Sequence, residues 1–257
     1  VQTCALPIYN RVIDCFLANG IHPIFNLHHF DLPVELYHQY GGWESRHVVD
    51  LFVGFAEQCF QLFGDRVKDW VVHNEPMVVV DGEYLYQFHY PKLVNGKKAV
   101  QVAYHLNLAT AKVIQKYREL GCDKKDGRIG TVLNLTPTYA ASENEADQAA
   151  AHFAELWNNK MFLEPAVLGH FPEELEMILK KDGVLWQVEA SDKLLFAENT
   201  VDFLGVNFYH PNRVQAPAIS PDSVGEWLPT RYYDDYQMPG RRMNIDKGWE
   251  IYPQALY

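Results

Sequence analysis

The sequence predicts an α/β fold, a partial (β/α)8 (TIM) barrel of about four consecutive βα units with long loops at the carboxyl ends of the strands. Three observations predict it. Four short apolar or β-branched runs are separated by longer segments with helical periodicity, the pattern of βαβ units on a parallel sheet. Three of those runs end in polar side chains, at the end where such barrels build their chemistry. The longest unpatterned segments, 77–98 and 211–247, follow strand ends, and long loops in a compact domain are usually functional lids or walls.

Each element follows from its residues. Tyr9 to Asn19 is helical in pattern and stops at Gly20, suited to the left-handed conformation past a helix end. Ile21 to Leu27 reads as the first strand. From Ser45 onward, Val48, Phe52, Phe55, Cys59 and Phe63 recur at three- and four-residue steps up to Gly64, the spacing of an amphipathic helix. The second strand ends in Trp70-Val71-Val72-His73-Asn74-Glu75-Pro76. Val71 and Val72 suit a buried strand, and Pro76, with no N–H to donate, marks its end. Val102, Leu106, Ala109, Val113, Tyr117 and Leu120 repeat the helical period before Gly121, and Ile129 to Leu135 is the third strand. Glu143 to Trp157 carries Ala146, Ala150, Phe153 and Trp157 at helical spacing, and Pro172 suits the first turn of a second short helix. Val201 to Tyr209 is the fourth strand.

No repeat, low-complexity tract or linker interrupts residues 9–257, which read as one domain. Residues 1–8, Val1 to Ile8, match neither a cap nor the period after them. They read as the translation of a sequencing-library adapter and are expected to be non-native, an expectation that in-frame codons for them in source DNA would overturn.

Composition excludes several classes. With 257 residues, 48% of them hydrophobic, the chain can bury a large core, although four strands are half of an eight-stranded barrel. A net charge of −11 without a basic stripe argues against nucleic acid as a partner. No apolar run approaches the roughly 20 residues that span a bilayer. Cys4, Cys15, Cys59 and Cys122 lie far apart with no Cys-x-x-Cys pair, which fits a reduced, cytoplasmic compartment and no structural zinc.

The candidate chemistry lies at the strand ends. His28, His29 and Asp31 follow the first strand, Asn74 and Glu75 the second, Asn207 and Tyr209 the fourth. On position alone Glu75 fits a catalytic acid and a solvated strand terminus equally well. Two amides, a histidine and a carboxylic acid among many aromatic residues suit a sugar, whose hydroxyls need directional partners and whose faces pack on rings. No Gly-rich loop or Walker pattern offers a phosphate or nucleotide cradle. Adjacent strand residues point to opposite faces, so His28 and His29 do not readily share a metal. No metal and no other cofactor is expected.

The sequence resembles glycoside hydrolase family 1, the retaining β-glycosidases, across essentially all of residues 9–257. The resemblance rests on Leu27-His28-His29-Phe30-Asp31-Leu32-Pro33, Gly41-Gly42-Trp43, Asn74-Glu75-Pro76, Val201 to Tyr209 and Gly248-Trp249-Glu250-Ile251-Tyr252-Pro253, in this order. It implies that Glu75 is the general acid and base, that Asn74 holds the sugar 2-hydroxyl, and that His29 binds a hydroxyl of the nonreducing-end sugar. It further implies that Tyr209 hydrogen-bonds the nucleophile carboxylate and that Asn207 lines the same subsite. Retention needs two carboxyl groups about 5–5.5 Å apart. The family's nucleophile stands in a Glu-Asn-Gly motif, which these residues lack. Glu164, Glu198 and Glu250 follow no barrel strand, so the nucleophile is expected beyond Tyr257 and the 257-residue chain is expected to be inactive.

Phe30 departs from the Trp common in plain β-glucosidases, and the segments Gly82 to Pro91 and Met238 to Met243 resemble the 6-phospho-β-glucosidase and 6-phospho-β-galactosidase branch. The expected substrate is a small-molecule 6-phospho-β-glycoside. A plain β-glucosidase or β-galactosidase is one alternative, and a non-catalytic sugar-binding relative is the other.

Overall fold

The computed structural model describes residues 2–219 and 225–257, without the side chains of residues 2–6 and 125. The Cys4 side chain and residues 220–224 of the segment 211–247 therefore lie outside the described residues. Helix α1 (Gln2–Ala18) leads into β1 (Ile24–His28), followed by α2 (Val34–Tyr40) and α3 (Arg46–Phe63). Strand β2 (Asp69–Asn74) runs into α4 (Pro76–Tyr84), and α5 (Gly96–Glu119) precedes β3 (Arg128–Asn134) and the short β4 (Thr138–Ala140). Helices α6 (Glu145–Glu155), α7 (Met161–Leu168), α8 (Glu173–Lys181) and α9 (Asp192–Glu198) separate these from β5 (Phe203–Asn207), β6 (Asn212–Gln215) and β7 (Asp234–Asp235).

Strands β1, β2, β3 and β5 form one sheet in that order, every neighbour parallel. These are the four strands expected from the sequence, in successive βα units. Strand β2 is buried from Trp70 to His73, as a strand covered on both faces must be. Trp70 stands edge-on to Phe25 and to Phe60, at 5.8 and 5.0 Å between ring centroids, which ties the sheet to α3. Between β3 and β5 the backbones approach so closely that a Cβ on Gly130 would lie 2.3 Å from the Phe203 carbonyl oxygen. Only glycine fits there.

Several expectations are corrected. The buried stripe of α3 is Val48, Val49, Phe52, Ala56, Phe60 and Phe63; Phe55, taken as a core position, is 51% exposed. At 3.6 residues per turn the face through Val48 and Phe52 continues through Ala56, and Phe55 falls beside it. Helix α5 keeps the expected period, with Val102, Leu106, Ala109, Val113 and Tyr117 all buried, but its middle is buried on every side. Every residue from Val102 to Ala111 is buried, because α3, α4, α7 and α9 all pack against it.

The segment 77–98 is not a structureless loop. Its first part is α4, where Pro76 takes the N1 position that its fixed φ favours. The run Val78-Val79-Val80 has little helix propensity, but burial of Met77, Val79 and Val80 overrides it. Segment 211–247 likewise carries β6 and β7, which join β4 in a small second sheet, β4 parallel and β7 antiparallel to β6. Helix α9, absent from the sequence reading, is held by Asp192. That carboxylate accepts from Tyr104 Oη at 2.6 Å and pairs with Arg46.

Candidate active site

The register of the parallel sheet brings the polar strand ends together. His28 pairs in register with His73, and alternation along each strand then places His29 beside Asn74 on the opposite side. A register shift between Val71 and Asn74 interrupts the β2–β3 ladder. Such an irregularity re-aims the residues after it. Glu75 leaves the strand with φ 48° and ψ 58°, a left-handed conformation that is costly for a residue with a Cβ and typical of functional positions. Its N–H donates to the Val132 carbonyl at 2.8 Å, and Pro76 begins α4 immediately after.

Glu75 is 7% exposed and its Oε1 accepts two hydrogen bonds, from Asn207 Nδ2 at 2.6 Å and from Tyr209 Oη at 2.9 Å. Asn207 Nδ2 also lies 3.1 Å from Asn74 Oδ1. Asn74 thus turns its own Nδ2 to His29 Nε2, 3.2 Å away, so Nε2 accepts and the His29 proton resides on Nδ1. The hydrogen bond to Glu75, with partial loss of solvation, raises the pKa of Tyr209 and keeps its hydroxyl a donor.

All five residues singled out from the sequence, His29, Asn74, Glu75, Asn207 and Tyr209, are therefore joined in one hydrogen-bonded chain drawn from β1, β2 and β5. One detail differs: Tyr209, expected on a nucleophile carboxylate, donates here to Glu75, the carboxyl group within its reach. Glu250, set aside as a nucleophile, is engaged elsewhere. Glu198 is the last residue of α9, with its carbonyl accepting from Arg118, and Glu164 lies on α7 facing Lys160 at 3.6 Å. His28 turns away from His29, and among the described residues no group of three or more His, Cys, Asp or Glu side chains is placed to hold a metal ion. No helix among them is long and apolar enough to cross a membrane.

A second set of contacts supports Tyr209 from behind. Trp249 packs on the Tyr209 ring at 5.0 Å and on His210 at 5.5 Å. Next to it, Glu250 receives Arg213 Nε at 2.7 Å and Nη2 at 2.8 Å, while the guanidinium lies between the rings of Tyr139 and Tyr252. Arg213 first, by its hydrogen bonds, holds the Glu250 carboxyl below the usual range. The pair joins β6 to the turn carrying Trp249, and both side chains are nearly buried. Glu250→Gln is expected to destabilise the fold by about 3 kcal/mol in urea denaturation, since it leaves a buried cation uncompensated. The double change Arg213→Met with Glu250→Leu should recover most of that loss; if it were as unstable as the single variant, packing and not charge would be responsible.

Comparison with known proteins places the chain in a family. The family model described as "Glycosyl hydrolase family 1" matches residues 2–257. The chain is 50% identical over 253 residues to the 6-phospho-beta-glucosidase GmuD of Bacillus subtilis, covering 98% of the chain and 54% of that protein. It is 35% identical over 240 residues to Beta-glucosidase 26 of Oryza sativa, covering 90% of the chain and 45% of the relative. Among solved structures, virulence factor SghA of Agrobacterium tumefaciens in complex with its substrate analog salicin superposes with a TM-score of 0.85 at 30% identity, over 98% of this chain and 52% of that one. The chain spans about half the length of the curated relatives it matches.

Proposed function

The chain belongs to glycosyl hydrolase family 1, and on that premise we propose that it carries the acid/base half of a retaining β-glycosidase acting on 6-phospho-β-glucosides. The observation that carries the reading is the convergence of Asn207 and Tyr209 on Oε1 of Glu75. With both bonds on one oxygen, the carboxyl plane is fixed and Oε2 is the oxygen offered to a substrate. Glu75 protonates the departing glycosidic oxygen through Oε2 and later takes a proton from the attacking water. Asn74 holds the sugar 2-hydroxyl, a contact that strengthens as the ring gains oxocarbenium character. His29, with its proton on Nδ1, and Asn207 bind further sugar hydroxyls.

The second carboxylate, the nucleophile, lies outside these 257 residues in this reading. The 257-residue chain by itself is then expected to give no measurable turnover of aryl β-glycosides. Tyr209 would turn from Glu75 toward that carboxylate when it is present, since one phenolic O–H makes one strong donation.

The phosphorylated branch is supported by His28-His29-Phe30-Asp31 and by the 50% identity to a protein named as a 6-phospho-beta-glucosidase. A substrate of that kind and the dispersed cysteines fit action in the cytoplasm. In the enzyme that carries this chain, p-nitrophenyl β-glucoside 6-phosphate is expected to have a higher kcat/KM than p-nitrophenyl β-glucoside. The reverse preference would reject the phosphorylated branch and leave a plain β-glucosidase.

A further inference from the structure

The residues that precede His29 and Asn74 are both histidines, His28 and His73, and they meet. They are in register across β1 and β2, with their side chains on the face opposite to the hydrogen-bonded chain at Glu75. His28 Nδ1 lies 3.1 Å from His73 Nδ1. The other nitrogen of the His28 ring has no partner among the described residues, so this bond is the ring's single polar tie.

Main-chain pairing to β3 lapses at this point. From Val71 to Asn74 strand β2 advances three residues while β3 advances two, from Gly130 to Val132, which leaves a surplus residue in β2. Side chains take over there. Thr131 Oγ1 donates to the His73 carbonyl at 3.1 Å, and Asn26 Nδ2 donates to the His28 carbonyl at 3.1 Å. Those carbonyls belong to the peptide groups that lead into Asn74 and His29, so both groups are held by a carbonyl bond and by the joined rings.

Behind the pair, Trp43 stands edge-on to both rings, at 5.2 and 5.7 Å between centroids, and Phe52 stacks on His73 at 5.2 Å. Trp43 is itself anchored, its carbonyl accepting from His105 Nδ1 at 2.8 Å. Two apolar side chains would fill such a pocket with little loss of stability, so stability alone does not account for two imidazoles. What apolar contacts lack is direction: they tolerate sliding, whereas a buried hydrogen bond fixes the offset of two strands.

We propose that His28 and His73 are positioning residues, whose mutual hydrogen bond sets His29 and Asn74 side by side and thereby aligns the polar chain that ends on Glu75. The inference rests on the reading of Asn74 as the residue that holds the sugar 2-hydroxyl.

Kinetics of the enzyme that carries this chain test it, with the p-nitrophenyl β-glucoside it prefers, phosphorylated or not, and the 2-deoxy counterpart of that substrate. His73→Phe keeps a ring against Phe52 and removes both nitrogens. It is expected to lower kcat for the 2-hydroxy substrate about 10-fold with KM changed far less, because the Asn74 contact strengthens in the transition state. The 2-deoxy substrate has no such contact to lose and should lose little. His73→Asn, whose amide reaches the position of Nδ1, should recover most of the rate. His28→Phe should show the same selectivity, and the double variant should be no slower than either single one, since all three lose the same bond. Circular dichroism confirms folding, and His28→Phe carries the test should His73→Phe not fold. Equal losses on the two substrates, no loss on either, additive losses in the double variant, or an Asn variant no faster than the Phe variant overturn the proposal. Asn74→Ala separates it from the reading beneath it. Equal losses on the two substrates in Asn74→Ala reject the role of Asn74 and the proposal together, whereas a selective loss there without one in His73→Phe rejects the proposal alone.

Discussion

Glu75→Gln in the enzyme that carries this chain is expected to lower kcat/KM for β-glycosides with poor leaving groups by about 10²–10⁴-fold, the contribution of one well-placed general acid. The change is nearly isosteric and keeps Asn207 and Tyr209 supplied with an acceptor at the position of Oε1. The left-handed backbone of residue 75 is no less tolerable for Gln than for Glu, so folding should survive. The expected signature is selective. An aryl glycoside whose phenol leaves readily as an anion needs little protonation in the first step and should lose much less than an alkyl glycoside or a disaccharide. Equal losses for good and poor leaving groups would mean that Glu75 only organises the strand end. Kinetics over a series of leaving-group pKa values separate the two outcomes.

The strands were legible because each is a short apolar run bounded by punctuation, and their parallel order followed from the helices between them. The site was legible for the same reason: Asn74, Glu75, Asn207 and Tyr209 interrupt apolar runs at positions where a buried strand has no use for them. What escaped the sequence was decided by tertiary contact. Val78, Val79 and Val80 favour a strand locally, yet they form α4 because that helix buries Val79 and Val80 and packs against α5. The period of α3 located a helix and most of its buried face, Val48, Phe52 and Phe63, but misplaced Phe55, because the exact face depends on where Trp70 and Trp43 press against it. Glu250 read as an isolated carboxylate, and nothing local announces Arg213, which lies 37 residues earlier and meets it. His28 and His73 are 45 residues apart, and only the β1–β2 register reveals that they touch.

That histidine contact carries a large dependence of stability on pH. His28 Nδ1 lies 3.1 Å from His73 Nδ1, the two rings are 3% and 0% exposed, and Trp43 and Phe52 enclose them. Two imidazoles share a hydrogen bond through their Nδ1 atoms only when one donates and the other accepts, so at least one must be neutral. Burial lowers the His28 pKa to about 4, with Asp31 opposing and His29 reinforcing the shift. Burial, then His28, lowers that of His73 as well, against the pull of the Leu106 backbone.

At His28 the unfolded chain takes up its proton near pH 6.5 and the folded chain only near pH 4. The stability due to His28 is thus fully present above about pH 6.5 and is lost as pH falls toward 4, by roughly 3 kcal/mol for the 2.5-unit difference. His73 acts in the same sense. Glu83 and Asp81 act in the opposite one, because burial raises them to about 8 and about 7, so what they contribute is present at low pH and lost as pH rises through those values. The raw stability curve mixes both groups, and a variant isolates the histidines. His73→Leu is expected to lose about 1 kcal/mol at pH 7.5 with the broken hydrogen bond, yet to lose less than the parent between pH 6.5 and 4.5, so that the two urea midpoints converge or cross. Midpoints that stay parallel across that range would show that His73 titrates alike in both states and has no part in acid sensitivity.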